Sequence, residues 1–501
     1  MSSLNETLEL VKTAQKTASA EIAKAFTQPG SATTGLQGYD LEAPAKSLYP
    51  VLTPLRNKIP RRGGGIATQA NWKAITGVNT TNLRAGVSEG NRGGVISQTT
   101  AEYFAAYRAI GLENNVTFEA DYAAQGFEDL KALAVRQSLE ATMIREEMLI
   151  LGGNTSLAYG TPVTPTLVNN ASGGTLAAQT WSVIVVALGL QAYWDVAGAN
   201  NGRVGQSLSI ASAVVPSSIT RTNADGSTDT FNGGISAKSA AATVTTTGST
   251  SSIGASTTAV TGAVAYAWYW GASGSEVLGA VTTVNSVLIT AAATGTQTAA
   301  SITSSTDFST SSLDFDGLLT IASKGLGSQY LALGTGTPGT GTTLTAGTGR
   351  VVEIDTMLAN FWDKYRLQPN EIHMSFRQFQ KITNLVLGST NPNVMFTVNP
   401  NSPEVVVAGR NVGKYVSPIN GVIIDLIVHP NMPPGTMFFN TTQAPAYVQG
   451  IPDIVRVRTR REYYQIEWPL RTRRYEYGVY ADEVLQHYFP PAIGVLTNIA
   501  N

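Results

Sequence analysis

The chain has 501 residues, a formal net charge of −1, 43% hydrophobic and 13% charged residues, and no cysteine. These values exclude disulfides and thiolate metal sites, and they exclude the strong basic balance with which sequence-unspecific nucleic-acid binders displace counterions. At ~100–200 residues per domain the length allows two to four domains, and a surface of Gly, Ala, Ser and Thr suits extended β structure and large protein–protein contacts.

In chain order, Leu4, Leu8, Val11, Ala18 and Ile22 share one helical face, which predicts an amphipathic helix over residues 1–27 that stops at Gln28-Pro29-Gly30. Met1-Ser-Ser-Leu-Asn-Glu lacks a basic stretch followed by an apolar one, so no secretory signal is expected. An extended arm runs to about Tyr49. Residues 49–118 read as a long hairpin bent at Gly63-Gly64-Gly65 and Gly93-Gly94, with β-like stretches over 66–75 and 95–103. Its cations, Arg56, Lys58, Arg61, Arg62, Lys73, Arg84, Arg92 and Arg108, outnumber its anions, Glu89, Glu102 and Glu113.

Residues 119–151 predict one long helix. Leu130, Ala134, Ala141, Ile144, Met148 and Leu151 share a face, acids crowd the first turns, and Gly152-Gly153-Asn154 supplies the stop. At ~1.5 Å per residue it approaches 50 Å. Here Glu119, Asp121, Glu128, Asp129, Glu140, Glu146 and Glu147 outnumber Lys131, Arg136 and Arg145.

Residues 160–305 change character: between Lys238 and Asp307 the single charged residue is Glu276. Strand-like runs over 181–187, 241–247, 264–270 and 281–290 alternate with turns such as Asn223-Ala-Asp-Gly226 and Gly271-Ala-Ser-Gly274, predicting a β-sandwich. The longest apolar run, 181–190, is far short of the ~20 residues that span a bilayer. No fixed-period repeat is visible. Farther on, 314–324, 352–365 and 375–387 read as helices, 325–349 as a Gly/Thr-rich loop, and 421–429 as a strand ended by Pro430. In 446–490, Val455, Val457 and Thr459 alternate with Arg456, Arg458 and Arg460, and Tyr475, Tyr477 and Val479 repeat the pattern, as antiparallel strands with one buried face do.

No motif points to catalysis. Gly334-Thr-Gly-Thr-Pro-Gly339 matches a phosphate-loop pattern but lacks the preceding strand and following helix, and reads as a flexible loop. His373, His429 and His487 lack metal-ligand spacing and read as structural. Glu146 and Glu147 are helical neighbours that point apart, so they form no catalytic pair and read as a solvated or interface face. The cluster Arg456, Arg458, Arg460, Arg461, Arg471, Arg473 and Arg474, interleaved with Tyr463, Tyr464, Tyr475 and Tyr477, is the best nucleic-acid candidate. Pairing with Asp453, Glu462, Glu467, Glu476, Asp482 and Glu483 within or between subunits is the favoured reading.

The order of N-terminal arm, glycine-bent hairpin, long helix, mixed domain and returning strands resembles the major capsid proteins of tailed bacteriophages, whose fold encapsulin shells share. Residues 106–129 resemble the start of that family's spine helix, and Arg145-Glu-Glu-Met-Leu-Ile-Leu-Gly-Gly-Asn154 its end. Gly160-Thr-Pro, Trp181-Ser-Val-Ile-Val-Val-Ala-Leu188 and Val264-Ala-Tyr-Ala-Trp-Tyr-Trp-Gly-Ala-Ser-Gly-Ser-Glu276 resemble an immunoglobulin-like insertion of some members.

The resemblance implies an α+β fold. Its parts are an N-terminal helix and arm (1–48), an extended loop (49–118), the spine helix of a peripheral domain (119–159), an inserted all-β sandwich (160–305), an axial domain (306–445) and returning peripheral strands (446–501). It implies a structural protein, not an enzyme, that assembles in the host cytoplasm as pentamers and hexamers of an icosahedral shell and resides in the virion. The partners implied are other copies, portal, scaffolding or decoration proteins, and packaged double-stranded DNA held without sequence specificity. No membrane, metal or cofactor is implied. The alternative, a tail or adhesion protein binding hosts through the inserted domain, would be expected to show repeats or heptads.

Three expectations follow. Arg61, Arg62, Arg84 and Arg92 of one copy meet Glu128, Asp129, Glu140, Glu146 and Glu147 of the next, so that reversing Arg61 and Arg62 impairs assembly and leaves the subunit folded. The helix 1–27 docks on the shell. Residues 160–305 form a self-contained, outward and dispensable domain. Some family members crosslink a loop Lys to a neighbour's Asn. Lys58 and Lys73 lie in that region, nothing selects either, and no crosslink is expected.

Overall fold

The computed structural model describes residues 12, 51–78, 85–95, 97–126, 128–197, 209–347, 349–388, 412–442 and 453–500. Apart from Lys12, the expected helix over 1–27 lies outside them, as do the arm and Arg84.

A short helix α1 (Pro54–Lys58) and strand β1 (Arg61–Arg62) lead into an antiparallel ribbon of β2 (Gln69–Val78) and β3 (Gln98–Ala106), paired from Gln69 opposite Ala106 to Val78 opposite Gln98 with a register shift between Ile75 and Gly77. The ribbon is anchored at its base, where the Trp72 indole donates to the His487 carbonyl at 3.1 Å and lies edge-on to Tyr488. At Tyr107 the chain turns into β4 (Arg108–Thr117), which joins the body, so the ribbon is shorter than the hairpin read over 49–118.

The helix expected over 119–151 is two helices, α2 (Phe118–Ala123) and α3 (Leu130–Gly152). Gly126 takes a left-handed φ of 89° between them, and the Asp129 carboxylate starts the chain afresh by accepting from Lys131 N and Ala132 N, both at 3.1 Å. The 23 residues of α3 thus span ~35 Å at ~1.5 Å each. Its end is set by close packing: a Cβ on Gly152 would lie 2.4 Å from Leu190, and one on Gly153 2.3 Å from the Phe315 carbonyl.

The next strands are β5 (Thr166–Asn170), β6 (Thr180–Leu188), β7 (Ser218–Thr222), β8 (Thr228–Asn232), β9 (Ala242–Thr245), β10 (Ser252–Ser256), β11 (Ala265–Gly271), β12 (Val277–Thr282) and β13 (Ser286–Ile289). Two sheets, ordered β13-β10-β5 and β12-β11-β6-β9, face each other as a sandwich. Trp181, Val183, Val185, Trp268, Trp270, Ile253 and Val287 fill the space between them. The run read as one strand over 281–290 is two, because Thr283 to Asn285 turn the chain.

The segment is neither all-β nor self-contained, which corrects two expectations. A helix α4 (Leu190–Ala197) follows β6. Strand residues on the second face, Ile184, Val186, Leu188, Ala267 and Tyr269, enter a core that runs through Trp194, Val215 and Ile235 into Leu149 and Leu151 of α3, Phe315 and Leu318. The period-2 pattern could not show this. Runs buried on both faces read as continuous apolar strands, and β6 is buried from Trp181 to Leu188.

After α5 (Leu318–Ser323) the chain builds a six-stranded mixed sheet. Its strands are β14 (Gln329–Ala332), β15 (Glu371–Met374), β16 (Lys414–Val416), β17 (Ile423–Val428), β18 (Met437–Asn440) and β21 (Gly494–Thr497), in the order β14-β21-β18-β15-β17-β16. Helices α6 (Val352–Tyr365) and α7 (Phe376–Gly388) cover it, with Ile354, Met357, Leu358, Phe361 and Ile382 packed on Ile372, Met374 and Phe439. The expected loop 325–349 thus contains β14, and the expected helix 314–324 shortens to α5. A Cβ on Gly317 would come 2.5 Å from the Leu149 carbonyl.

β19 (Val455–Glu467) and β20 (Arg474–His487) return to the first part and form the sheet β1-β19-β20-β4. Val455, Val457 and Thr459 are buried while Arg456 and Arg458 are half-buried, as the alternation predicts. The fold is therefore mixed α+β, with ribbon, spine helix, sandwich, axial sheet and returning strands in the expected order.

Candidate assembly interface

Where the ribbon leaves the body, consecutive strand residues point to opposite faces. Arg61 turns toward α3 and Arg62 away from it. Arg61 pairs with Glu146 of α3 and with Glu483 of β20, the latter at 2.6 Å. Glu146 also takes Arg56 Nε at 2.8 Å and the Tyr463 hydroxyl, and both Arg56 and Arg61 lie over the Tyr463 ring at 5.2 Å. Burial first, and then the Glu146 carboxylate, push the Glu483 carboxyl up to about 8, with Arg61 pulling against them. Glu147 accepts from Leu55 N at 3.0 Å, Arg56 N at 2.6 Å and His429 Nε2 at 2.7 Å. It caps α1, whose own Thr53 makes no cap bond.

Glu146 and Glu147 are fully buried inside one subunit. They are not the surface that meets a neighbour's Arg61, and the expectation of a solvated or interface face is corrected. Removing one partner of a buried ion pair costs ~3–5 kcal/mol, so reversing Arg61 acts on the fold as well as on any contact. A sequence shows that two acids adjoin on a helix; it does not show that β1 meets one of them and α1, some ninety residues earlier, meets both.

The other predicted residues are not gathered into one patch. Asp129 caps α3, Glu140 pairs with Arg136 at 2.8 Å one turn away, and Glu128 is half-buried. Arg62 and Arg92 are exposed on different parts of the chain.

Sequence reading missed the axial link to this junction. Lys58 pairs with Glu371, which accepts from His373 Nε2 at 3.1 Å, and the His373 and His429 rings lie 6.1 Å apart. Burial favours the neutral Glu371 carboxyl, but His373 and Lys58 outweigh it and hold it below the usual range. Among the described residues no three His, Cys, Asp or Glu side chains gather as a metal site requires, and no helix is long and apolar enough to cross a membrane.

The Gly334–Gly339 segment works as a clasp. Gly339 N donates to Ser286 Oγ at 2.9 Å, and Asn498 Nδ2 donates to the Leu333 carbonyl at 2.9 Å. The Asn498 side-chain oxygen accepts from Asn285 N at 3.0 Å. The loop and the chain's last strand thereby hold the sandwich.

The chain is similar to the capsid of a native GTA particle, with 8% identity over 93% of this chain and 96% of that one and a TM-score of 0.40. It is similar to the capsid of Myoviridae phage XM1, with 10% identity over 94% and 100% and a TM-score of 0.39. It is also similar to a virus-like particle from Pyrococcus furiosus, with 7% identity over 88% and 91% and a TM-score of 0.34. No protein-family model and no curated protein matches the chain.

Two surfaces remain open. Phe104 on the ribbon is 74% exposed, and Ile66, before β2, and Val95, before β3, are 84% and 94% exposed. The Arg cluster of β19 and the turn into β20 pairs only in part: Arg460 meets Asp482 at 3.0 Å and Arg473 meets Glu119 at 2.9 Å, while Arg456 and Arg458 take neutral partners.

Proposed function

We propose that the chain is the major capsid subunit of a tailed bacteriophage, one of many copies in an icosahedral shell around double-stranded DNA. The observation that carries this reading is the ribbon. A two-stranded hairpin is marginal in water by itself, yet β2 and β3 run ten and nine residues and keep Phe104 uncovered. Exposed apolar surface of this kind marks an interaction site. The element order that resembles capsid proteins supplies the occupant, the body of the next copy, and a closed lattice repeats that contact around every ring.

Electron microscopy of the purified full chain tests the reading, and closed shells of uniform diameter are expected. Replacing residues 74–101 by a short Gly/Ser linker, which keeps Trp72 and the ribbon base, should leave a subunit that still melts cooperatively but forms none. A dispersed or fibrous wild-type protein, or shells from the shortened chain, would overturn it.

A further inference from the structure

An open cleft of about 610 Å³ lies between the β7–β8 turn and the sheet β1-β19-β20-β4, at a junction of the inserted segment with the body. Small-molecule sites have this size and often this placement. Two aromatic rings line it. Tyr480 of β20 stands opposite Gly111 of β4, and Gly478 precedes it by two residues on the same face. A Cβ on Gly111 would lie 2.2 Å from the Tyr480 ring, and one on Gly478 2.4 Å from it. The ring therefore lies down on the sheet where those two side chains would stand, and a larger residue at either place would lift it. Glu113 holds it there. Its Oε1 accepts from the Tyr480 hydroxyl and from Trp468 Nε1, the latter at 3.0 Å. One carboxylate thus fixes both rings that border the cleft.

Most charges around the rings are already engaged. Arg221 donates to Asn223 Oδ1 at 3.0 Å and to Asp229 Oδ2 at 2.8 Å. Asp225 accepts from Ser227 N at 3.0 Å and Ser227 Oγ at 2.6 Å. Arg471 and Glu476 also line the cleft, and among the described residues neither has an ion-pair partner. They are of opposite sign, so they answer no ion between them. Each is planar, and each can take two adjacent hydroxyls, one as donor and one as acceptor.

We propose that this cleft binds a neutral sugar, with a C–H face of the ring on Tyr480 and Trp468 and hydroxyls on Arg471 and Glu476. The faces of aromatic rings are the negative part of their quadrupole, and they attract the weakly positive C–H bonds that a pyranose presents. An anion is disfavoured by those faces and by the lining, where Glu113, Asp225, Asp229 and Glu476 outnumber Arg221 and Arg471. A cation would need the carboxylate beside the rings, and Glu113 already accepts from two donors. A purely apolar ligand would leave the Arg471 and Glu476 side chains without partners. A sugar combines the two surfaces that the cleft offers, C–H faces and paired hydroxyls.

The full chain, with its assembly state recorded by light scattering, is passed over an array of neutral and acidic glycans. The glycan retained best is then titrated by calorimetry, and a neutral one is expected. Trp468→Ala should weaken its binding by about tenfold, and Trp468→Phe, which keeps a ring face, by less. Arg471 is exposed and has no ion-pair partner among the described residues. Arg471→Ala should therefore weaken binding with the fold intact, which guards against a misfolded Trp468 variant. Failure of every neutral glycan to bind, or equal affinity in wild type and Arg471→Ala, would sink the proposal. An acidic glycan that binds more tightly than its neutral core, or tetramethylammonium that displaces the sugar at equal concentration, would make the cleft an ion site and overturn it too. Shell formation decides none of these outcomes, so this inference and the capsid reading fail separately.

Discussion

His487, near the ribbon base, is 2% exposed, and neither ring nitrogen has a hydrogen-bond partner among the described residues. Burial alone pushes its pKa down to about 3. The unfolded chain, with an ordinary imidazole near ~6.5, takes up the proton first. Stability tied to this group is whole at neutral pH and is lost as pH falls from about 6.5 towards 3. Glu483 acts the other way. Its folded value near 8 lies above the ordinary 4.5, so it withdraws stability as pH rises between them. The variant His487→Phe keeps the volume and removes the titration. Urea unfolding at pH 7.5, 6 and 5 should show wild type losing up to ~1.4 kcal/mol per pH unit relative to the variant across the acid limb. Parallel pH profiles would show that His487 is not the group responsible.

Two neighbouring residues of β1 make the same argument at the level of elements. Arg61 faces α3 and is enclosed by Glu146, Glu483 and Tyr463, whereas Arg62 faces outward. Arg61→Glu should lower unfolding free energy by ~3–5 kcal/mol or prevent folding, since it leaves three acids together in a buried site. Arg62→Glu should stay within ~0.5 kcal/mol of wild type, as surface changes do. Denaturant midpoints of the two single variants check this, and equal midpoints would contradict the assignment of faces. The alternation that separates them was legible in β19, where Val455 to Arg460 spell it out over six residues. It was not legible in β1, which has two residues and borrows its direction from a partner some four hundred positions away. For the same reason the sequence showed the acids of the long helix and the cations of the hairpin but mistook an internal junction for an external one. Local pattern reports which face is polar; only tertiary pairing reports what the polar face meets. Gly152-Gly153 likewise marked the end of α3 correctly, but the cause is the approach of Leu190 and Phe315, not a left-handed cap.

At the scale of the whole molecule, the sandwich decides how the parts hold together. Its strands and turns were readable because each is local, and its independence was inferred from Gly- and Ser-rich junctions. The structure ties it to the body at several places. Leu190 of α4 lies against Gly152 at the end of α3, and the Trp194 indole donates to the Asn431 carbonyl at 3.2 Å. Asn285 N meets the side chain of Asn498, and Ser286 Oγ meets the clasp at Gly339 N. The β7–β8 hairpin also reaches the other sheet, lining an open cleft of about 610 Å³ with Ile110, Leu112 and Tyr480 on one side and Ile219 and Phe231 on the other. Replacing residues 160–305 by a short linker therefore strips the cover from a shared core. Each large apolar side chain left uncovered costs ~1.5–3 kcal/mol, so a few of them match the ~5–15 kcal/mol that holds a typical domain. The shortened chain should be insoluble or should show a broad, non-cooperative melt by circular dichroism. The change Asn498→Ala, which removes the axial stitch and puts alanine at a left-handed φ of 64°, should lower the denaturant midpoint with the fold intact. A shortened chain that melts cooperatively near the wild-type temperature would show that the sandwich rests on the body without supporting it.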